Sequence, residues 1–372
     1  MNTAKKVLFT SHTANFQKFN RPFMRMLKEQ GWEVHYASGG EEEILDADQA
    51  FVVPFERSPF KLGNVKAYFV LKKVIDREKY DMIHTHTPMG SVVTRLAARA
   101  SRKAGTRVLY TAHGFHFFNG APLINWLIYY PIEKYMARHT DTLITINNED
   151  YRRAKKKFRT NIEYVAGVGV DPGRFEPRLT SEERNRLRKS LGVKSDDFVM
   201  IYPAELNKNK NQSMLISVME KLTNKYPNIY LLLAGKDSLS GLHNELILAK
   251  GLSENIQLLG YRSDIAQLLM ASDISVSSSY REGLPVHILE AMMARLAVVS
   301  TDCRGVDELV CDNVNGYILK PNDVNSMVEK IETIYCNPEI RSNFGTASFN
   351  LANQYSINKI LTDIRVIYGV NE

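Results

Sequence analysis

The amino-acid sequence predicts an α/β fold in which two Rossmann-like domains, each a doubly wound parallel sheet, face each other across a cleft. Short runs rich in Val, Ile and Leu alternate with longer amphipathic stretches, as expected for parallel strands covered by helices on both faces. Thirteen such runs are too many for one ordinary sheet, and 372 residues are enough for two domains of roughly 100–200 residues.

The first half of the sequence contains seven strand candidates and four helix candidates. The strands are expected at 5–11, 32–38, 50–55, 81–86, 107–113, 142–147 and 162–167. The helices between them are expected at 22–30, 63–79, 89–104 and 122–138. This alternation is the pattern of a parallel sheet with helical crossovers.

Six further strand candidates occupy the second half. They lie at 198–205, 229–235, 256–260, 274–279, 296–302 and 316–320. The segment 167–183 precedes them and carries three glycines, two prolines and a polar tail, which is typical of a linker. We therefore expect domains over 1–170 and 171–354, with a C-terminal helix at about 355–372 that is free to pack back on the first domain.

Composition excludes several classes of protein. A hydrophobic fraction of 44% and a charged fraction of 24% indicate a globular chain rather than a disordered or coiled-coil one. The longest apolar run, 123–132, is about half of the ~20 residues that span a bilayer, and the first residues lack a signal-peptide core. Three cysteines in one half predict neither a disulfide framework nor a metal cluster. We expect a reduced, cytoplasmic protein.

The net charge of +7 is unevenly distributed. Residues 1–175 contain 27 Lys and Arg against 17 Asp and Glu, a net charge of +10, whereas residues 176–372 contain 21 against 24, a net charge of −3. Such asymmetry indicates that the first half meets an anionic surface. Nucleic acid and the inner membrane leaflet are both candidates, and a basic surface that only aids solubility remains an alternative.

The stretch 277–294 carries the most specific chemistry. An expected strand ends in serines, a loop follows with Glu282 and Gly283, and a helix then begins near Pro285 and contains Glu290. A helix N-terminus presents free N–H groups to a phosphate, and glycine lets the backbone approach a ligand closely. Two carboxylates beside a phosphate make sense where they accept hydrogen bonds from sugar hydroxyls, so a nucleotide-sugar fits this pattern. An ordinary loop and helix with two surface glutamates is the alternative.

Other nucleotide signatures are missing from the sequence. No GxGxxG follows the first strand and no GxxxxGK[ST] occurs. Dehydrogenases and P-loop NTPases are therefore disfavoured.

The motif Glu282-x7-Glu290, with its internal G-x-P and the following EA, resembles the donor-site motif of retaining glycosyltransferases with the GT-B fold. Four further segments fall in the order expected for that family: TAHGFHFF (111–118), VGVDPGRF (168–175), ELNKNKNQ (205–212) and GYRSDI (260–265). The resemblance covers essentially the whole chain. In detail the sequence looks like bacterial glycosyltransferases of capsule and exopolysaccharide assembly.

The resemblance implies a donor site in the second domain. Its donor-binding residues would be Lys210, Tyr261, Arg262, Glu282, Gly283, Leu284, Pro285 and Glu290. Glu290 would bind the ribose hydroxyls, Glu282 would act as a catalytic residue on the hydroxyls of the donor sugar, and Lys210 would neutralise the diphosphate. Backbone amides of the 283–285 loop would hold the sugar and the diphosphate, except at Pro285, which has no N–H.

One position departs from the family pattern. Many relatives carry an arginine beside the phosphates where this sequence has Glu205. An acid beside a diphosphate would repel it, so we expect Glu205 to point elsewhere or to pair with a base. Arg281, Lys208 or backbone N–H groups are open as sources of the missing positive charge.

The resemblance also implies an acceptor side in the first domain. It assigns His113 to the reacting centre, where the imidazole would donate a hydrogen bond to a sugar hydroxyl or assist deprotonation of the acceptor. The expected acceptor-binding residues are His12, Asn15, His86 and His116. His84 and His86 form an HxH pair, but no cysteine or carboxylate spacing supports a metal site there, and histidines packed at strand ends remain an alternative.

The family mechanism is front-face substitution without metal or cofactor, since the nucleotide-sugar is a substrate. The expected donor is UDP-linked and the expected acceptor is a lipid-linked glycan. Basic runs at 95–107 and 151–159 flank the aromatic-rich segment 122–138, which suits docking on the inner face of the cell membrane, although this segment could be ordinary core. Another nucleotide-sugar enzyme such as an epimerase is the nearest alternative. A nucleic-acid-binding protein is the other, although no nucleic-acid-binding module is recognisable.

Overall fold

The computed structural model describes residues 4–370, which form two compact units. Unit 1 comprises the residues up to Val168 together with those from Asn358 onward, and unit 2 is Gly169–Ile357. The C-terminal residues thus belong to the same unit as the N-terminal ones.

Unit 1 contains a seven-stranded parallel sheet. Its strands are β1 (Lys6–Ser11), β2 (Glu33–Ser38), β3 (Gln49–Val52), β4 (Met82–His86), β5 (Arg107–Ala112), β6 (Thr142–Thr145) and β7 (Asn161–Tyr164). They lie in the order β3-β2-β1-β4-β5-β6-β7. Each strand begins within one residue of its expected start.

The helices that cover this sheet differ in three places from the expected ones: two of the four candidates have other bounds, and the helix at 148–157 was not among them. They are α1 (Gln17–Glu29), α2 (Gly63–Glu78), α3 (Pro88–Ala97), α4 (Arg99–Lys103), α5 (Leu123–Met136) and α6 (Asn148–Lys157). The expected helix at 22–30 begins earlier, at Gln17, because the fixed φ of Pro22 fits a helix. The expected helix at 89–104 is divided at Ala98, whose ψ of −1° turns the chain.

Unit 2 contains a six-stranded parallel sheet. Its strands are β8 (Phe198–Pro203), β9 (Ile229–Ala234), β10 (Ile256–Gly260), β11 (Ile274–Ser277), β12 (Ala297–Thr301) and β13 (Gly316–Leu319). They lie in the order β10-β9-β8-β11-β12-β13. All six of these strands also begin within one residue of their expected starts.

Helices cover both faces of the second sheet, and a last helix follows. They are α7 (Ser181–Ser190), α8 (Gln212–Thr223), α9 (Leu242–Ala249), α10 (Ile265–Ala271), α11 (Val286–Met293), α12 (Val324–Cys336), α13 (Pro338–Ala352) and α14 (Ile357–Tyr368). Helix α7 is preceded by a complete capping box, in which Thr180 and Glu183 each bind the other's backbone N–H.

Both cores are built from strand residues that are buried on both faces of the sheet. In unit 1, Leu8 and Ile83 pack with Leu71 of α2. In unit 2, Leu231 and Val299 pack in one cluster with Val218 of α8. Burial on both sides explains why these strands appear in the sequence as continuous apolar runs rather than as an alternating pattern.

Helix α14 is fixed to the sheet of unit 1 through Tyr368. Its hydroxyl lies 2.6 Å from Nδ1 of His84, and its backbone oxygen accepts a 2.6 Å hydrogen bond from Arg107. Ile360 and Ile364 on the same helix are buried. These contacts connect a residue of the last helix to the centre of the first sheet.

Candidate functional site

The centre of the sheet in unit 2 is a topological switch point. Strands β8 and β11 are neighbours, and the chain leaves them toward opposite sides of the sheet, because β9 and β12 lie on opposite sides of this pair. Ligands of doubly wound sheets bind outside the carboxyl ends of the strands at such a point. Two loops leave it here: 204–211 after β8, and 278–285 after β11.

Hydrogen bonds join these two loops into one structure. The backbone N–H of Tyr280 donates to the carbonyl oxygen of Asn209 at 2.8 Å, and the Asn209 side chain donates to the carbonyl oxygen of Arg281 at 2.9 Å. The hydroxyl of Ser278 donates to the carbonyl oxygen of Lys210 at 2.8 Å. The two loops therefore hold their side chains at fixed relative positions.

Lys210 and Glu282, predicted from different motifs, form an ion pair between the two loops. Oε1 of Glu282 also accepts a 2.6 Å hydrogen bond from the hydroxyl of Ser279. Since that hydroxyl has only one proton, the Tyr202 hydroxyl 2.7 Å away must donate to Ser279. Glu282 therefore interacts with the ammonium of Lys210 and with a chain of two hydroxyls, which begins at Tyr202 in β8 and continues through Ser279.

This environment keeps Glu282 ionised. Burial alone would raise the pKa of its carboxyl group, but the charge of the Lys210 ammonium and the hydrogen bonds from Lys210 and Ser279 hold the pKa below its ordinary value. Burial lowers the pKa of His287 itself to about 3, and Lys210 contributes to the shift. The site therefore contains a carboxylate and an ammonium beside a neutral imidazole.

The start of α11 differs slightly from expectation. Pro285 has extended backbone angles and precedes the helix, so the first helical residue is Val286. The helical ladder begins where Ile288 and Leu289 donate to the carbonyl oxygen of Pro285, at 3.1 and 3.2 Å. The N–H groups of Val286 and His287 come before that ladder, and these are the groups that a helix N-terminus offers to an anion.

The loop after β12 closes against the 283–285 loop. A Cβ at Gly305, whose φ is +80°, would collide with the carbonyl oxygen of Gly283 and lie 3.2 Å from Cα of Leu284. The neighbouring Arg304 donates to the carbonyl oxygen of Glu282 at 3.2 Å. The close approach therefore brings a further cation to the backbone of the predicted donor loop.

Glu290 is held by a partner that the sequence did not single out. Arg174, in the turn Pro172–Phe175, forms an ion pair with Oε1 of Glu290. The carboxylate side chain is only 14% exposed, whereas the arginine side chain is 41% exposed. Arg174 therefore orients the predicted ribose-binding group while remaining accessible to solvent.

The other predicted residues of unit 2 take different positions. Tyr261 is 84% exposed, and Arg262 forms a bidentate pair with Asp264 at 2.8 and 2.6 Å. Glu205 accepts a hydrogen bond from the hydroxyl of Ser238, so its partner is a hydroxyl and not the base that was one of our two expectations.

Arg174, Ser279 and Arg304 are the site residues that sequence reasoning missed. Arg174 lies 116 residues before Glu290, and Arg304 belongs to another strand-end loop, 22 residues after Glu282. Arg174 lay inside the family segment 168–175, and Ser279 was the last residue of an expected strand, but neither was assigned a role. A search of every strand-end loop for polar residues would have included Arg304 and Ser279.

Unit 1 has its own switch point, between β1 and β4. The backbone N–H of His12 donates to the hydroxyl of Thr87 at 3.1 Å, which joins the loops after these two strands. Thr87 has a φ of +66°, and a Cβ at Gly90 would lie 2.7 Å from its hydroxyl oxygen. A strained non-glycine residue at a switch point is typical of a functional site.

Three neutral histidines lie at this edge of the sheet. Nδ1 of His86 lies 3.1 Å from Nε2 of His113, and the rings of His84 and His86 are 4.2 Å apart. Burial lowers the pKa of His113 to about 3, and burial with the neighbouring His113 lowers that of His84 to about 3. The pKa of His86 also falls well below its ordinary value, first through burial and then through the other two rings.

The remaining predicted acceptor residues do not join this cluster directly. Asn15 donates to Glu42 at 3.2 Å, and His116 stacks on Tyr129 with ring centroids 4.5 Å apart. Burial lowers the pKa of His12, with a contribution from Arg57. Within unit 1, His86 and His113 are thus brought together, whereas Asn15 and His116 contact other residues.

One group of side chains in unit 1 has spacing suitable for a metal ion. Glu33, His35 and Glu78 bring ligand atoms within 4.8 Å of one another. The ammonium of Lys6 lies 3.2 and 3.3 Å from the two carboxylates. Lys6 already neutralises these carboxylates, and we assign no metal to them.

Within residues 4–370, no helix combines the length and the apolar character needed to cross a membrane.

Comparison with known proteins relates both units to glycosyltransferases. A family model described as "Glycosyl transferase 4-like" matches residues 6–147, and one described as "Glycosyl transferases group 1" matches residues 183–350. EpsD of Bacillus subtilis (strain 168) is 42% identical over 98% of this chain and 96% of its own length. The UDP-Gal:alpha-D-GlcNAc-diphosphoundecaprenol alpha-1,3-galactosyltransferase of Escherichia coli is 27% identical over 87% of this chain and 84% of its own.

Among solved structures, HepE of Anabaena in complex with UDP and glucose is similar in fold. Its TM-score is 0.81 at 20% sequence identity, over 98% of this chain and 99% of HepE. Together with the two doubly wound sheets, this likeness confirms the predicted GT-B fold.

Proposed function

The chain belongs to the GT-B glycosyltransferases, and we propose that it moves a sugar from a UDP-linked donor to a lipid-linked glycan in bacterial polysaccharide synthesis. The observation that carries this proposal is the pair of glutamates at the switch point of unit 2, each held by a cation: Glu282 by Lys210 and Glu290 by Arg174. Such an arrangement can bind hydroxyls and an anion at the same time.

The donor fits these groups in a simple way. Lys210 is a compact point charge that can be shared between Glu282 and a diphosphate, and the first N–H groups of α11 add hydrogen bonds to the same anion. Glu282 then accepts hydrogen bonds from hydroxyls of the sugar, and Glu290 accepts them from the ribose. Arg304 and Lys210 supply the positive charge that relatives obtain from an arginine at position 205.

We propose a retaining transfer that needs neither a metal ion nor a cofactor. The bond from the anomeric carbon to the diphosphate oxygen breaks, and the acceptor oxygen bonds to that carbon on the same face. The proton of the acceptor hydroxyl passes to the departing diphosphate. Lys210 stabilises the negative charge that develops on the leaving group, which is the most effective place for a fixed charge in such a reaction.

Unit 1 and a relative support the proposed acceptor class. The Escherichia coli relative acts, by its name, on a sugar linked to diphosphoundecaprenol. His113, a neutral imidazole that is half-buried, is suited to contact an uncharged hydroxyl. We propose that unit 1 receives the glycan of a lipid-linked acceptor and that His113 contributes to the transfer.

A membrane-binding surface on unit 1 would bring the protein to such an acceptor. Helix α5 exposes Leu123, Ile124 and Leu127 near its start, and Leu127 is 73% exposed. Lys134 and Arg138 follow in exposed positions on or just after the same helix. Apolar side chains beside basic ones are the composition of a surface that enters the headgroup region of an anionic bilayer.

Helix α2 extends this surface on the same face of the sheet. Helix α3 packs against α2, and its Arg95 forms a buried 2.9 Å ion pair with Glu133 of α5, so α2 and α5 lie on either side of α3. Leu62, just before α2, and Phe69 within it are exposed. We propose that α2 and α5 together contact the inner leaflet of the cell membrane.

The experiment that tests the function is a donor screen followed by a transfer assay. Nucleotide-sugars that bind only the folded protein raise its melting temperature, so a UDP-sugar is expected to give the largest shift. With that donor, the purified chain should extend a polyprenyl-diphosphate-linked sugar with retained anomeric configuration. Conversion of the donor to an epimer without acceptor would favour the alternative enzyme class, and no shift with any nucleotide-sugar would contradict the proposal.

A further inference from the structure

His86 combines complete burial with an incomplete set of hydrogen bonds. Its Nδ1 lies 3.1 Å from Nε2 of His113, while its Nε2 has no hydrogen-bond partner among the described residues. His86 as a residue is only 1% exposed, so bulk solvent does not reach that nitrogen. Because only one of its two ring nitrogens has a hydrogen-bond partner, the position of the proton on this neutral ring is restricted.

In the hydrogen bond between the two rings, one ring donates an N–H and the other accepts it. A neutral imidazole carries one N–H and one lone pair, so either His86 donates from Nδ1 or His113 donates from Nε2. In the second arrangement the remaining proton of His86 would lie on its buried Nε2 without an acceptor. Buried N–H groups without an acceptor are rarer in proteins than acceptors with an unused lone pair.

We infer that His86 is a positioning residue that donates its Nδ1–H to Nε2 of His113, which fixes the proton of His113 on Nδ1. His113 is then a hydrogen-bond donor to a hydroxyl oxygen, and not a base that removes a proton. The identity of that hydroxyl rests on the proposed function, whereas the position of the proton does not.

The surroundings of His86 hold its ring in the required orientation. The adjacent ring of His84 is fixed at both nitrogens, by Tyr368 at 2.6 Å and by Thr111 at 2.8 Å. Phe16 contacts His113 edge-on, with ring centroids 4.7 Å apart. Because helix α14 carries Tyr368, the last helix of the chain contributes to the placement of His86.

The position of the proton can be measured directly in the full-length protein without ligand. Nitrogen-15 NMR of ring-labelled histidine distinguishes protonated from unprotonated ring nitrogens. We expect His113 to be protonated on Nδ1 and His86 to be protonated on Nδ1 at neutral pH. A His113 ring protonated on Nε2 would overturn the inference, whether or not the protein transfers sugar.

A pair of substitutions tests the consequence for transfer. The amide of His86→Asn can replace the Nδ1–H donor, whereas His86→Leu cannot. We expect His86→Leu to lower kcat about tenfold, the effect of one lost hydrogen bond, with donor affinity unchanged, and His86→Asn to restore most of it. His243→Asn, at a buried histidine of unit 2, is the matched control and should leave kcat unchanged.

The two experiments separate this inference from the proposed function. If the wild-type protein transfers no sugar, the function fails while the NMR result still decides the tautomer. If transfer occurs and the two His86 variants have equal kcat, the positioning role is wrong.

Discussion

The switch points of the two units share a topology and differ in chemistry. In unit 2 the loops bring together Lys210 with Glu282 and Arg174 with Glu290, which are charged groups in pairs. In unit 1 the equivalent edge carries the neutral rings of His86 and His113. The same scaffold therefore presents charge on one sheet and uncharged hydrogen-bonding groups on the other.

The two edges are able to recognise different kinds of ligand. Fixed charges in pairs can be redistributed onto an anionic diphosphate without leaving a buried charge uncompensated. Neutral imidazoles are suited to hydroxyl groups, which carry no charge to be balanced. The loops after the strands, and not the sheets, decide this division.

Removal of the ammonium from unit 2 should have the largest effect. We expect Lys210→Met to lower kcat/KM by ~100-fold or more, because a positioned charge on the leaving group is worth about that much. The matched control is Lys250→Met, which removes the ion pair with Glu220 in the same unit. Steady-state transfer assays measure this effect. Equal activity of the two variants would show that Lys210 has no role in the reaction.

Mild acid should destabilise unit 1 more steeply than unit 2. The three clustered histidines have pKa values below their ordinary 6.5, so the unfolded state binds more protons as the pH falls below about 6.5, and stability is lost in that direction. Each such group contributes roughly 1.4 kcal/mol per pH unit between its unfolded and folded pKa values. In unit 2, Glu282 loses its contribution only below its ordinary value of 4.5.

Hydrogen exchange measured by mass spectrometry at pH 6.5 and pH 5 reports the two units separately. We expect protection to fall more in β4 and β5 of unit 1 than in β8 and β11 of unit 2. Unit 2 also contains two buried histidines with lowered pKa values, His287 and His243, so a decrease there is expected, but a smaller one. A larger loss of protection in unit 2 than in unit 1 would contradict the expectation that mild acid destabilises unit 1 more.

The apolar surface of unit 1 gives a prediction of intermediate size. Leu127→Glu places a charge on an exposed position of α5 and should reduce binding to vesicles with anionic lipid about tenfold, through the lost burial of one leucine. Leu248→Glu is the control, since Leu248 is 61% exposed on α9 of unit 2. Flotation of both variants at low salt provides the measurement, and unchanged binding of Leu127→Glu would exclude α5 from the membrane surface.

The smallest effect is expected from the residue that orients Glu290. Arg174→Gln removes a half-exposed cation and should raise the KM for the donor a few-fold with kcat little changed, because exposed ion pairs contribute at most about 1 kcal/mol. Arg186→Gln, on the exposed side of α7, is the comparison variant. A large fall in kcat for Arg174→Gln would show that Arg174 acts on the reaction and not through Glu290.

The fold could be predicted from the sequence because the central strands of each sheet, such as β4 and β12, are buried on both faces. The apolar runs that follow from this burial locate the strands to within a residue, for example at Lys6 and Phe198. Helix boundaries were less predictable, since Pro22 fits inside α1 and an ordinary alanine, Ala98, ends α3. The presence of a proline or an alanine does not by itself predict where a helix ends.

The candidate site could be predicted only in part, because some of its residues are far apart in the sequence. Glu282 and Glu290 belong to one local motif, so the sequence alone singles them out. Arg174 reaches Glu290 across 116 residues, and Tyr368 reaches His84 across 284. A local pattern does not show which residues such long-range pairs join, even where one partner, Arg174, lies in the family segment 168–175.

The switch point of unit 2 is proposed to hold the nucleotide of the donor, and titration calorimetry with UDP measures that binding. We expect the wild-type chain to bind UDP, Glu290→Gln to bind it about tenfold more weakly through loss of a charged hydrogen-bond acceptor, and the control Glu332→Gln, which removes a carboxylate paired with Lys225, to match the wild type. Equal affinity of Glu290→Gln and the wild type, or no binding of UDP by the wild type, would contradict it.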